Sequence, residues 1–289
     1  MKKHFAFFVS AFVSIPLLVA CGSNSDDQAS GDGEFSPDDP VDVTIGVTGT
    51  DTPQWDYISE LAAEEGINIT IQRFNDYVQP NLALDEGELD ANAFQTVSYF
   101  DNFVEEHHLS VEAIGSTVIA PMGLYSDRYE SVEDIPDGAE ITIDQEVTNQ
   151  ARNLMLLEQA GLLELDEDFG VTSGVDQITN NPKNIQLTQI SAGNAPRVMQ
   201  DVDASVINNG FAVDAGLIPV EDAIYLEDET ATPYINIIAA QSDNTGNPAL
   251  QRIVEIYQSD EVARFIEEEY QGAQIPTAVS LEELNSYPR

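Results

Sequence analysis

The pattern of apolar and polar residues beyond residue 40 switches repeatedly between strand-like and helix-like periods. Residues 41–47 alternate apolar and polar side chains, which predicts a β-strand. The segment from Thr52-Pro53 to Gly66 has apolar residues at helical spacing, with Thr52 as the predicted N-cap. Residues 67–74 alternate again. A strand, a helix and a strand at this spacing predict a βαβ unit with parallel, right-handed pairing.

The same alternation continues toward the C-terminus and predicts an α/β protein. We expect further strands at residues 117–124, 140–144, 205–207, 223–226 and 234–240, and helices at 82–86, 99–107, 148–160, 194–201, 248–258 and 261–270. The sequence contains no internal repeat.

Two apolar segments are predicted to carry the chain between two lobes. Residues 118–125 lead into a new set of elements, and residues 233–238 lead back to the C-terminal helices. The first lobe is therefore expected to contain residues 41–126 and 233–289, and the second lobe residues 127–232. A cleft between two α/β lobes joined by two strands can act as a hinge and a ligand clamp.

The first 20 residues resemble a bacterial secretory signal. Lys2 and Lys3 precede an apolar run over residues 5–20. The run ends in LVACG, which resembles a lipobox, and this resemblance implies cleavage before Cys21 and diacylation of its sulfur. An ordinary signal peptide or a short membrane anchor is the alternative, which we disfavour because the only cysteine of the chain falls at the lipidation position.

The segment that follows the lipobox has the composition of a tether. Residues 21–40 are rich in Ser, Asn, Asp, Gly, Glu and Pro, and Phe35 is their single large apolar residue. Such a segment cannot form a core. We expect a folded body held at the outer face of the cytoplasmic membrane by acyl chains and a flexible acidic linker.

Charge and residue content exclude several classes of protein. Ten Lys and Arg residues against 52 Asp and Glu residues give a formal net charge of −42, which disfavours binding to nucleic acid. We interpret the acidity as a salt-adapted surface. The alternative is a cation-binding surface, which we disfavour because no calcium-type loop is present. His107 and His108 lack ligand-spaced partners, and no phosphate loop or nucleophile elbow occurs. We therefore expect no enzyme activity, metal or cofactor.

Several collinear motifs resemble one family. The segments FNDY at 74–77, PNLAL at 80–84 and GELDANAFQ at 87–95 are similar to the signature of the NlpA-type methionine-binding lipoproteins, the substrate-binding components of methionine ABC importers. Further similar segments lie at residues 148–157, 180–184, 206–208, 233–236 and 257–262. The resemblance implies a two-lobed type II periplasmic-binding-protein fold. It also implies methionine as the ligand, and an ABC permease with its ATPase as the partner.

The resemblance indicates which residues would bind the ligand. A carboxylate that leaves water needs a paired cation, and Arg152 lies in a helix that Thr148 could cap. A structural salt bridge is the alternative role for Arg152. Tyr77, Phe94 and Tyr99 match the family's aromatic slot for a thioether, with plain core packing as the alternative.

Polar candidates complete the predicted site and leave the exact ligand open. Asn208 and Asn236 follow apolar runs and could contact the zwitterion or satisfy local backbone groups. Thr96 stands where family members commonly have His, so D-methionine, a methionine derivative or a short methionine-containing peptide remains possible. Asp144 and Glu146 are unranked candidates for the α-amino group. A surface interaction lipoprotein without a transport role is the alternative function.

Overall fold

The computed structural model describes residues 35–50, 52–227 and 234–286. The predicted signal segment, Cys21 and most of the predicted tether lie outside the described residues. The strands are β1 Val41–Thr48, β2 Ile67–Phe74, β3 Ala91–Thr96, β4 Val111–Ile119, β5 Gly123–Tyr125, β6 Glu140–Asp144, β7 Glu164–Leu165, β8 Ile178–Asn180, β9 Gln186–Ile190, β10 Ala204–Ile207, β11 Tyr225–Leu226, β12 Ile235–Gln241 and β13 Ile275–Pro276. The α-helices are α1 Pro53–Glu64, α2 Gln79–Asp85, α3 Val97–His107, α4 Val147–Gln159, α5 Ala195–Val198, α6 Asn209–Asp214, α7 Pro219–Asp222, α8 Pro248–Tyr257, α9 Asp260–Tyr270 and α10 Leu281–Leu284.

The first sheet has six strands in the order β13-β4-β12-β3-β1-β2. β1 pairs in parallel with β2 and β3, as the βαβ pattern predicts, while β12 runs antiparallel to β3 and β4. Apolar side chains of β1, α1, α8 and α9 form one core cluster against this sheet, and those of α2, α3 and α10 contribute to another. The carboxyl ends of β1 and β3 therefore meet at one edge of the sheet.

The second sheet has five strands in the order β11-β5-β10-β6-β9. β6 is parallel to β9 and β10, and β5 is antiparallel to β10 and β11. Its core joins Ile141 and Ile143 of β6 to Leu154 and Leu157 of α4. The carboxyl ends of β6 and β10 lead directly into α4 and α6.

The first predicted crossing, at residues 118–125, contains a break between two strands. Two strands, β4 and β5, stand where the sequence predicts one strand at 117–124. Pro121 lies between them and has no N–H to donate, so one continuous strand cannot form here. Since β5 pairs within the second sheet, we propose that the second lobe begins near residue 123 and not at residue 127. Residues 228–233, which include the predicted start of the return crossing, lie outside the described residues.

Threonines directly precede α1 and α3, and only the Thr96 hydroxyl makes a capping hydrogen bond. α1 begins at Pro53 with Thr52 as its N-cap residue, as predicted. The Thr52 hydroxyl makes no capping hydrogen bond and instead accepts one from Arg73 Nη2 at 2.9 Å. α3 begins two residues before its predicted start because the Thr96 hydroxyl accepts the Tyr99 N–H at 3.3 Å and caps the helix.

A buried cluster of side-chain amides fixes the end of β3. Asn81 and Gln95 exchange two hydrogen bonds of 2.7 Å. Asn92 donates to Asn81 Oδ1 at 2.8 Å and to Pro80 O at 3.2 Å, and it accepts from Gln95 Nε2 at 2.9 Å. All three amides are buried. A fully paired polar network of this kind makes the strand end rigid.

We predict that Asn92→Ala lowers the free energy of unfolding by about 2–3 kcal/mol, because it leaves buried donors and acceptors without partners. Urea denaturation followed by circular dichroism measures the loss. The control is Asn68→Ala, which removes an exposed amide bonded to Asp42 and should change stability by no more than about 0.5 kcal/mol. Equal losses in the two variants would contradict the role of the buried cluster.

Candidate functional site

A cavity of about 130 Å³ lies between the two sheets. We call it the central cavity. Its polar and aromatic lining comes from both sheets and their connected helices, and it includes Gln54, Tyr77, Phe94, Thr96, Tyr99, Asn149, Arg152, Asn208, Asn209, Asp214, Asn236, Tyr257, Tyr270 and Gln274. It lies at the carboxyl ends of parallel strands, where open α/β sheets bind ligands.

The volume of the central cavity fits a small molecule. At about 130 Å³ it is well above the minimum of about 10–15 Å³ that a single water needs. The described residues contain no group of three or more His, Cys, Asp or Glu side chains that could hold a metal ion. No helix in the described part of the chain is long and apolar enough to cross a membrane.

Aromatic rings form one wall of the central cavity. Tyr77 lies 5.8 Å from Phe94, 6.0 Å from Tyr99 and 5.0 Å from Phe211, measured between ring centroids. The Tyr99 hydroxyl donates to Tyr77 O at 2.9 Å. Burial raises the pKa of both tyrosines, so their hydroxyls stay neutral. The predicted aromatic residues thus come together, and Phe211 joins them from the second sheet's side.

The predicted cap of α4 is wrong. Glu146, not Thr148, is the N-cap, and its carboxylate accepts the N–H groups of Thr148 and Asn149 at 3.0 and 2.9 Å. The Thr148 hydroxyl also donates to this carboxylate, at 2.7 Å. Glu146 therefore occupies the N-terminus of α4, and Thr148 does not line the central cavity.

Arg152 lines the central cavity and is also part of a buried ion pair. Its Nε donates to Glu227 Oε1 at 3.0 Å and its Nη2 to Glu227 Oε2 at 2.5 Å, with side-chain exposures of 4% and 5%. Nη2 donates to Ala120 O at 3.0 Å as well, and the guanidinium carbon lies 4.3 Å from the ring centroid of Tyr234. The structural salt bridge that the sequence left as an alternative is thus present.

The ion pair keeps Arg152 charged at the wall of the cavity. Burial works to lower the pKa of Arg152, but the Glu227 carboxylate outweighs it and holds the pKa above its ordinary value. Among the described residues, no acceptor bonds Nη1. The guanidinium therefore retains one nitrogen that a ligand carboxylate could contact.

Asparagine amides also line the central cavity. Asn208 Nδ2 donates to Asn149 Oδ1 at 3.2 Å, and Asn236 Nδ2 donates to Val118 O at 3.3 Å. Asn209 Nδ2 donates to Ala273 O at 2.7 Å. Asn149 and Asn209 were not predicted, although each directly neighbours a predicted site residue in the sequence.

The two acids considered for an amino group do not line the central cavity. Glu146 is engaged as the helix cap. Asp144 is buried, and desolvation raises the pKa of its carboxyl to about 7. Asp214 does line the cavity, and its Oδ1 accepts the N–H and hydroxyl of Thr50 at 2.9 and 3.0 Å.

The structure has two α/β lobes, and a charged and aromatic cavity lies between their sheets at the ends of parallel strands. This is the architecture of a two-lobed binding protein. A sequence profile described as NlpA lipoprotein matches residues 43–278. The chain belongs to the NlpA lipoprotein family, as the sequence motifs predicted.

Known proteins with high similarity support this assignment. The chain is 34% identical over 269 residues to the probable D-methionine-binding lipoprotein MetQ of Vibrio cholerae, which covers 92% of this chain and 95% of that protein. Protein PG110 from Staphylococcus aureus is similar in structure, with a TM-score of 0.82, 40% identity and coverage of 84% of this chain and 97% of that one. A nutrient-binding protein from Burkholderia cenocepacia bound to methionine gives a TM-score of 0.78 with 38% identity, covering 81% and 99%. The predicted two-lobed periplasmic-binding-protein fold is confirmed.

We predict that Arg152→Ala lowers the free energy of unfolding by about 3–5 kcal/mol, because it leaves Glu227 buried and unpaired. The double variant Arg152→Met/Glu227→Gln should lose less folding free energy, because it leaves no unpaired charge in the interior. Its glutamine side chain also keeps an acceptor for the Met122 N–H, which donates to Glu227 at 3.1 Å in the wild type. Urea denaturation midpoints compare the variants. Wild-type stability of Arg152→Ala would contradict a stabilising ion pair.

Proposed function

We propose that the chain is an extracytoplasmic substrate-binding lipoprotein that captures methionine in the central cavity and delivers it to an ABC permease with its ATPase. The observation that carries the proposal is a buried guanidinium facing the same cavity as a cluster of aromatic rings. Membership of the NlpA family supports it, as do relatives with methionine-binding names and a similar structure bound to methionine.

In this proposal the two ends of the ligand have separate partners. Nη1 of Arg152 contacts the carboxylate, and Tyr77, Phe94 and Tyr99 surround the thioether, because sulfur–ring contacts add to the burial of apolar area. Asn208 and Asn236 provide neutral polar contacts to the zwitterion. The proposed site excludes Thr148, because it does not line the central cavity.

Thr96 bears on which form of the ligand binds. It lines the central cavity, and its hydroxyl lies 3.3 Å from Ser98 Oγ. This side chain carries no charge, unlike the His that family members commonly have there. D-methionine, which the names of relatives include, and short methionine-containing peptides therefore belong in every binding panel.

We predict saturable binding of a methionine compound in isothermal titration calorimetry. The panel comprises L-methionine, D-methionine, methionine-containing dipeptides, and leucine and glutamine for comparison. Arg152→Met/Glu227→Gln should weaken binding by about 100-fold or more, because the cation for the carboxylate is gone.

The matched control is Arg252→Met/Glu65→Gln. This pair has the same two residue types and the same two-bond geometry, at 2.6 and 2.7 Å, but lies outside the central cavity. Its affinity should equal that of wild type. Wild-type protein that gives no heat with any member of the panel would contradict a transport role and favour a surface interaction lipoprotein.

We further propose that acyl chains on Cys21 anchor the protein to the membrane. The proposal rests on the lipobox-like LVACG and on membership of a lipoprotein family. Cys21→Ala should move the protein from the membrane fraction to the soluble fraction, because two acyl chains are needed for stable anchoring. Fractionation with immunoblotting measures the shift, and retention of the variant in membranes would refute the anchor.

A further inference from the structure

Two side-chain oxygens at the central cavity have no hydrogen-bond partner among the described residues. They are Asn209 Oδ1 and Gln274 Oε1, and both atoms are buried. Most buried polar atoms in proteins are paired, because an unpaired one costs folding free energy. Two unpaired acceptors at one cavity point to a ligand group that donates hydrogen bonds.

The orientation of the Asn209 amide is fixed by its other contacts. Its Nδ2 donates to Ala273 O at 2.7 Å and to Pro121 O at 3.3 Å, and the residue is 3% exposed. Only the amino end of an amide can face two carbonyl oxygens. Oδ1 must therefore face away from them, as an acceptor without a donor.

The two acceptors approach from different sheets. Asn209 begins α6, which follows β10 of the five-stranded sheet, whereas Gln274 directly precedes β13 of the six-stranded sheet. The bond from Asn209 to Ala273 O holds these two segments together beside Gln274. A donor placed between the two oxygens would contact both sides of the cavity.

The acids near the cavity are less suited to this position. Glu146 caps α4, and Asp144 does not line the central cavity. Asp214 lines it but is exposed, and one of its oxygens already accepts two bonds from Thr50. Asp214 is the rival that an experiment must separate from the two amide oxygens.

We infer that Asn209 Oδ1 and Gln274 Oε1 bind the positively charged nitrogen of the ligand and select for a primary ammonium group. The inference rests on the proposed function, in which Arg152 holds the carboxylate of an amino acid. A ligand without the amino group would leave both oxygens unpaired, and sites built to hydrogen-bond a polar group reject analogues that lack it.

Gln274→Leu tests the inference with two ligands, L-methionine and 4-(methylthio)butanoate, which is methionine without its amino group. Calorimetry should show that the variant binds methionine about 10- to 100-fold more weakly than wild type, the usual effect of losing a bond to a charged group. The affinity for 4-(methylthio)butanoate should stay equal or increase. Gln274→Glu keeps an acceptor and adds a negative charge, so it should bind methionine at least as tightly as wild type.

Stability and a matched control separate binding from folding. Gln274→Leu removes an acceptor that has no partner, so its urea midpoint should be unchanged or higher. Gln177 Oε1 is also buried without a described partner but lies outside the cavity lining, so Gln177→Leu should leave both affinities unchanged. Asn209 is unsuitable for the main test because its Nδ2 bonds brace two loops.

The outcomes distinguish this inference from the proposed function. If wild type binds no amino acid, both are wrong. If wild type prefers methionine over 4-(methylthio)butanoate and Gln274→Leu keeps that preference, this inference alone is wrong. A third result is that Asp214→Asn loses the preference for methionine over 4-(methylthio)butanoate while Gln274→Leu keeps it. That result would show that the exposed Asp214 carboxylate binds the ammonium group.

Discussion

The buried pair of Arg152 and Glu227 is the constraint on which the site depends. Arg152 comes from α4, while Ala120 lies between β4 and β5 and Glu227 directly follows β11. One guanidinium therefore connects a helix of the second sheet with the segment that joins the two sheets at Ala120 and with the end of β11. A ligand carboxylate that contacts this guanidinium would bind next to the segment between β4 and β5.

A buried ion pair is not an efficient way to stabilise a protein, because desolvation offsets much of the attraction. The pair instead fixes the position of the Arg152 charge at the cavity. Glu227 compensates the cation in the absence of ligand, and the bonds from Nε and Nη2 fix the plane of the guanidinium. The aromatic wall and the buried amide cluster at β3 give the other side of the cavity a comparable rigidity.

Periodicity predicts most of this architecture because it reflects which face of each element is buried. The strand β6 and the helices α4, α8 and α9 appear within one residue of their predicted bounds. The break between β4 and β5 was missed because a continuous apolar run hides the effect of Pro121. Periodicity also cannot predict which side chain reaches the free N–H groups of a helix. The sequence therefore did not indicate that Glu146, and not Thr148, is the N-cap of α4.

The candidate site was predictable only in part. Motifs similar to a family identified Arg152 and the aromatic residues, which the structure brings to one cavity. The partner of Arg152 lies 75 residues away in the sequence, and nothing distinguishes Glu227 among so many acids before the chain is folded. Gln274 has no sequence signal either, because an unpaired oxygen is a property of the packed cavity.

The central claim is that a guanidinium and a set of rings hold the two ends of one small zwitterion. A crystal structure of the protein grown with L-methionine tests it most directly. We expect the carboxylate within hydrogen-bonding distance of Arg152 Nη1 and the thioether against Tyr77, Phe94 and Tyr99. An empty central cavity at saturating methionine, or a ligand whose carboxylate lies away from Arg152, would contradict the account.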